Sequence, residues 1–170
     1  MRIFLLGYMG SGKSTIGDAL AARLQLPFID LDKRIEAHEG RSVSEIFERN
    51  GEHYFRSIES AVLEELIRTE AFAIIATGGG TPCFNSNLDL MHVNGIKVYL
   101  KCSIETLMQR LQGTAETRPL LQAAGFSPEN HLKARESFYQ QAHHVIANDG
   151  EINAAVDAIM RILATPETSA

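Results

Sequence analysis

The sequence predicts an α/β fold built on a parallel sheet. Three observations carry this. Short apolar runs alternate with stretches of helical periodicity along the chain. The first run, Arg2-Ile3-Phe4-Leu5-Leu6, feeds a glycine-rich loop that opens into a helical pattern. One long, polar, aperiodic insertion at 113–127 interrupts an otherwise tight succession of elements.

The elements follow in order. Strands are expected at 3–6, 27–29, 73–76, 97–100 and 145–147. Ile16, Leu20 and Leu24 give a helix at 13–24, and a further helix is expected at 33–39. Ser42 with Glu45 forms a capping box ahead of 43–50. Phe55, Ile58, Val62 and Leu66 set the buried face of 53–69. A helix at 104–111 follows the fourth strand. Ser127-Pro128 places a cap residue before a proline, opening a helix at 128–143. The last helix is expected at 152–163, and the small, polar residues 165–170 are expected to fray.

At 170 residues, with 45% apolar and 22% charged residues, the chain is expected to form one soluble domain, 1–170. A net charge of −5 argues against a nucleic-acid surface. Cys83 and Cys102 form no C-x-x-C pair, which fits free thiols in a reducing compartment. The N-terminal apolar run is only strand-length, and no run reaches membrane-spanning length, so a cytoplasmic protein is expected. No apolar surface patch is evident, which favours a monomer.

Gly7-Tyr8-Met9-Gly10-Ser11-Gly12-Lys13-Ser14 reads G-x-x-x-x-G-K-S, the phosphate-binding P-loop pattern, in its strand–loop–helix context. Backbone N–H groups of such a loop point at phosphate oxygens, and the new helix adds its positive end. Lys13 supplies charge for the outer phosphates, and the Ser14 hydroxyl is placed for Mg²⁺. No Asn-Lys-x-Asp guanine-reading motif is present, which argues against a GTPase switch.

Asp30-Leu31-Asp32 follows a short apolar strand, where a parallel sheet presents its active edge. Such a pair can hold metal-bound water or accept a hydroxyl proton, or simply cap the next helix. Arg56 has Glu59 three residues on, either as a held guanidinium or as a solvated surface pair. The strand at 73–76 ends in Thr77-Gly78-Gly79-Gly80, with no acidic residue, and the glycines allow close approach to the backbone. Arg118 lies in the insertion, which suits a lid that brings charge over phosphates. Arg135 falls on the apolar stripe of Leu132, Phe138, Tyr139 and Ala142, where a charge calls for an anion or must reach out to solvent. The six histidines show no metal-ligand spacing.

Taken in order, G-Y-M-G-S-G-K-S, D-L-D, F-R-S-I-E, T-G-G-G, R-P-L-L and R-E-S-F-Y resemble the shikimate kinase family over essentially the whole chain. The resemblance implies a three-layer α/β/α P-loop kinase fold, with a five-stranded parallel sheet and a mobile lid at about 113–127. It implies transfer of the ATP γ-phosphoryl group to the 3-hydroxyl of shikimate, with Mg²⁺ as cofactor. By the same resemblance, Gly10, Ser11, Gly12, Lys13, Ser14 and Thr15 hold the nucleotide phosphates. Ser14 and, through water, Asp30 hold the metal. Asp32 binds shikimate hydroxyls as candidate base. Arg56 and Arg135 bind its carboxylate, and Gly78, Gly79 and Gly80 line its pocket. Arg118 is the lid arginine, and Arg110 is expected near the adenine. Ser137 stands where members often carry proline, and residues 144–150 match only loosely and are given no nucleotide contact. A kinase of another small hydroxy acid, such as gluconate, would share the P-loop and sheet. F-R-S-I-E and T-G-G-G argue against it.

Overall fold

The first strand is apolar on both faces, as a strand at the centre of a covered sheet must be. In the computed structural model, which describes residues 1–112 and 125–164, Ile3, Phe4, Leu5 and Leu6 are all fully buried. Strands β1 (Arg2–Leu6), β2 (Phe28–Asp30), β3 (Ala73–Ala76), β4 (Ile96–Lys101) and β5 (His144–Ala147) form a parallel sheet in the order β2-β3-β1-β4-β5. Every pairing in it is parallel.

Successive side chains point to opposite faces, so the sheet separates two cores. Ile3, Leu5, Ile74, Val98 and Leu100 meet α1 (Lys13–Leu24) and α7 (Ile152–Ala164) through Ile16, Leu20, Val156 and Ile159. Phe4, Leu6, Ile75 and Tyr99 meet the other layer. That layer holds α2 (Leu31–Glu39), α3 (Val43–Thr69), α4 (Asn87–Asn94), α5 (Ile104–Leu111) and α6 (Pro128–Tyr139), which contribute Ile35, Val62, Met91, Leu107 and Tyr139. This is the expected three-layer α/β/α arrangement.

All five strands lie within one residue of their predicted bounds. The helices at 43–50 and 53–69 run on into α3 across a bend at Gly51, whose φ of 79° only glycine adopts readily. Both arms of the Ser42–Glu45 capping box are present. Two expectations need correction. The helix at 128–143 ends at Tyr139, because Gln141 and Ala142 N–H turn back tightly onto the Phe138 and Tyr139 carbonyls. His143 then turns towards the start of β4, its Nδ1 taking the Lys97 N–H at 2.9 Å. Helix α4 and the short 3₁₀ turn Thr81–Cys83 were not foreseen, since α4 buries only Asn87, Leu88 and Met91 and shows little apolar periodicity.

Register brings the loops together. Leu5 pairs with Ala76 and Ala76 with Asp30, so β1, β3 and β2 end level. The P-loop, the Asp30–Asp32 junction and the Thr77–Gly80 run therefore leave the sheet along one edge. In a parallel sheet covered on both faces, this carboxyl edge is where ligand crevices form.

Candidate active site

The P-loop closes on itself. Gly10 and Gly12 take left-handed backbone angles, φ 80° and 83°, and the Ile16 N–H caps onto the Gly12 carbonyl at 2.9 Å. Lys13 Nζ donates to the Gly7 and Tyr8 carbonyls at 2.8 and 3.0 Å, which holds the ammonium across the mouth of the loop. The Ser14 hydroxyl donates to Asp30 Oδ2 at 2.7 Å. Asp30 Oδ1 accepts from the backbone N–H of Asp32 and Lys33, at 3.1 and 3.4 Å. The capping reading of Asp30 holds: one oxygen caps α2, while the other accepts from the P-loop serine.

Asp32 stands half-buried beside Glu59 and Thr81. A Cβ placed on Gly78 would lie 2.9 Å from Asp32 Oδ1 and 3.0 Å from Glu59 Oε1, so only glycine fits under this carboxylate pair. Burial, reinforced by the charges of Asp30 and Glu59 and opposed by Lys13, pushes the Asp32 carboxyl up to about 6. Such a group changes charge near neutral pH, as a proton acceptor or hydroxyl orienter requires.

Arg56 is buried, not a solvated surface residue, because α3 turns it inward beneath the glycine run. Its Nη1 pairs with Glu59 Oε2 at 2.8 Å, and Nη2 and Nε reach Glu52 Oε1 at 3.0 and 3.2 Å. The guanidinium lies 4.3 Å from the centre of the Phe84 ring. Glu59 is wholly buried and uses its second oxygen to accept from Thr81 Oγ1 at 2.7 Å. The sequence foresaw Glu59 as a partner, but not Glu52 from the same helix, nor Thr81 and Phe84 from the 3₁₀ turn and its C-terminal end.

Arg135 comes from α6 on the opposite side of the same glycines. Among the described residues no carboxylate forms an ion pair with it. A Cβ on Gly79 would lie 3.6 Å from Arg135 Nη1, and one on Gly80 would lie 2.6 Å from Arg56 Nη2. The two guanidiniums thus flank one stretch of bare backbone. Two cations beside Asp32 suit a ligand that carries both a carboxylate and hydroxyls.

A cavity of about 320 Å³ opens on the far side of the P-loop, lined by Gly12, Thr15, Arg110, Asn148, Gly150 and Ile152. Arg110 Nη2 donates to the Gly150 carbonyl at 3.4 Å, and buried Asn148 donates from Nδ2 to the Ser11 carbonyl at 2.7 Å. The sequence reading missed Asn148. Its one signal was position, directly after the last strand. Arg118, with residues 113–124 of the expected lid, lies outside the described residues, as does the tail at 165–170. Among the described residues no cluster of three or more His, Cys, Asp or Glu is set to hold a metal, and no helix is long and apolar enough to cross a membrane. The Ser14 and Asp30 oxygens nevertheless suit Mg²⁺, which needs few protein ligands when phosphates and waters supply the rest.

Comparison with known proteins agrees with this geometry. The family model for shikimate kinase matches residues 9–164. A shikimate kinase of Flavobacterium johnsoniae is 44% identical over 96% of this chain and 99% of its own length. One of Azobacteroides pseudotrichonymphae is 47% identical over 83% of this chain and 86% of its own. Among solved structures, the shikimate kinase of Acinetobacter baumannii in complex with shikimate superposes with a TM-score of 0.88 at 35% identity, covering 99% of this chain and 95% of that one.

Proposed function

The chain belongs to the shikimate kinase family, and from that membership we propose how its cleft transfers the γ-phosphoryl group of ATP to the 3-hydroxyl of shikimate. The products are shikimate 3-phosphate and ADP, on the route to chorismate and the aromatic amino acids. The enzyme is an ATP-dependent kinase.

The P-loop amides from Gly10 to Thr15 and the start of α1 hold the phosphates. Lys13 exchanges its two loop carbonyls for the outer phosphate oxygens. Ser14, and Asp30 through water, hold Mg²⁺, which when bound draws charge from the transferring phosphoryl group. Thr15 and Arg110 border the nucleotide cavity, and Arg118 is the lid arginine. Shikimate places its carboxylate between Arg56 and Arg135, with its ring against Gly78, Gly79 and Gly80. Its hydroxyls face Asp32, which orients the attacking oxygen and takes its proton. The transition state of phosphoryl transfer is loose, so positioning and charge neutralisation carry most of the rate. Residues 1–170 act as one kinase domain. The net charge of −5 fits a cytoplasmic monomer whose partners are small molecules, not nucleic acid or membrane.

The observation that carries this reading is the pair of guanidiniums flanking the glycine run, one neutralised by glutamates and the other lacking a carboxylate among the described residues. The test is ADP release from Mg·ATP with shikimate, gluconate or no acceptor. Release that depends on shikimate alone is expected. Release with gluconate, or no release with either acceptor, would overturn the substrate assignment.

A further inference from the structure

Helix α6 carries more than Arg135. One turn before it, His131 Nδ1 lies 2.8 Å from the Tyr8 hydroxyl, and the two rings meet edge to face at 5.5 Å. Phe126 packs edge-on against the same imidazole at 5.0 Å. Tyr8 occupies one of the unspecified positions of the P-loop pattern, yet it is almost wholly buried. Burial pushes its phenol up to about 12, and burial with the nearby Arg135 charge lowers His131. The contact therefore joins a neutral phenol to a neutral imidazole, the imidazole tautomer setting which of the two donates.

A buried tyrosine usually finds some polar partner, so a hydrogen bond alone would be unremarked. The placement of this one is informative. The Tyr8 carbonyl also holds Lys13 Nζ at 3.0 Å, so one residue touches both the phosphate-side lysine and the helix of the acceptor-side arginine. On α6 a second tie mirrors the first: Tyr139 Oη donates to the Gly79 carbonyl at 2.6 Å. Residues 131, 135 and 139 are spaced four apart and share one helix face. Arg135 thus sits midway between two hydrogen bonds, each ending on an active-edge loop.

We propose that Tyr8 and His131 are positioning residues for the acceptor: their hydrogen bond fixes α6 against the P-loop and so sets the Arg135 guanidinium beside the glycine run. This rests on the reading of Arg135 as a carboxylate ligand. The closing experiment separates the two.

Steady-state kinetics are measured for Tyr8→Phe, His131→Leu, His131→Asn and Arg135→Ala, with thermal unfolding alongside. Tyr8→Phe and His131→Leu are each expected to raise the shikimate KM about three- to tenfold, the scale of one neutral hydrogen bond. Their kcat and ATP KM should stay within about twofold of the parent. His131→Asn, whose amide oxygen can accept from Tyr8, should restore most of the affinity. The Tyr8→Phe/His131→Leu double variant should be no worse than either single one, since both break the same contact. An unchanged shikimate KM in both single variants, beside a raised KM in Arg135→Ala, would overturn the positioning role and leave the carboxylate reading intact. A lower melting temperature with an unchanged KM would overturn it equally, by showing a merely structural tie. An unchanged KM in Arg135→Ala would remove the carboxylate reading and this proposal with it.

Discussion

The Ser14 hydroxyl donates to Asp30 Oδ2 at 2.7 Å, while Oδ1 of the same carboxylate caps helix α2. One side chain therefore locks the start of α2 to the first turn of the P-loop helix. Its two oxygens have separable duties, one structural and one directed at the phosphate site.

That division predicts a contrast between two variants. Asp30→Ala should lose about 1 kcal/mol of stability through the missing cap and also raise the Mg²⁺ concentration needed for activity. Ser14→Ala should raise the Mg²⁺ requirement without a comparable loss, because the cap stays. Urea unfolding and Mg²⁺ titrations of the rate would show this. Equal destabilisation by both changes would mean that the Ser14 bond, not the cap, holds the junction.

Arg56 and Arg135 should also fail in different ways. Both substitutions to alanine should raise the shikimate KM about tenfold or more, since each removes a charge-assisted contact. Only Arg56→Ala leaves a partner stranded: Glu59, wholly buried, would keep just the Thr81 hydroxyl. That should cost about 3–5 kcal/mol of stability, against less than about 1 kcal/mol for Arg135→Ala. Denaturant midpoints measured without ligands decide it, and equal losses would contradict the assignment of Arg56 as the internally compensated arginine.

Much of this was legible because the informative signals are local in sequence. The P-loop, the strand ends and the Ser42–Glu45 box declare themselves within a few residues. Arg135 was conspicuous because a charge on an apolar stripe contradicts its neighbours. What escaped came from across the fold. Thr81 and Phe84 reach the Arg56 site only because the chain folds back after the glycines, and Asn148 reaches Ser11 over 137 residues. Helix α4 hid for another reason: it buries too little apolar surface to leave a period. Asp30 looked like a choice between cap and metal site; one oxygen of its carboxylate makes the cap, and the other is left to the P-loop serine.

Asp32 should show an inverted pH dependence. Its carboxyl titrates near 6 in the folded protein against an ordinary value of 3.8. The folded state therefore holds this proton more tightly than the unfolded chain does. Its contribution to stability is fully present below the ordinary value and is lost as pH rises through about 6. Asp32→Asn should accordingly make the ligand-free protein more stable at about pH 7.5, by on the order of 1–3 kcal/mol, with a narrower gap near pH 5. Activity should fall by at least about a hundredfold. Denaturation at the two pH values checks it. A variant less stable than its parent at the higher pH would show that Asp32 makes a net favourable contact.

The glycine run gives a steric test free of backbone strain. Gly80 has φ −90° and ψ −18°, which any residue adopts, and Gly79 is not among the positive-φ positions. At Gly80 an added methyl would stand 2.6 Å from Arg56 Nη2 and 2.8 Å from its Cζ. That guanidinium cannot step aside cheaply, because Glu52, Glu59 and the Phe84 ring all hold it. At Gly79 the nearest atoms, Arg135 Nη1, the Gly7 carbonyl and the Met9 N–H nitrogen, would all lie at 3.6 Å, an ordinary contact. Gly80→Ala should therefore raise the shikimate KM about ten- to a hundredfold, the scale of an ångström's misplacement, with the ATP KM unchanged. Gly79→Ala, whose methyl displaces no guanidinium and meets only the ligand lying against the run, should raise the shikimate KM less than Gly80→Ala does. Parallel kinetics on the two variants test this, and similar losses at both positions would mean that the run tolerates no side chain anywhere, whatever Arg56 does.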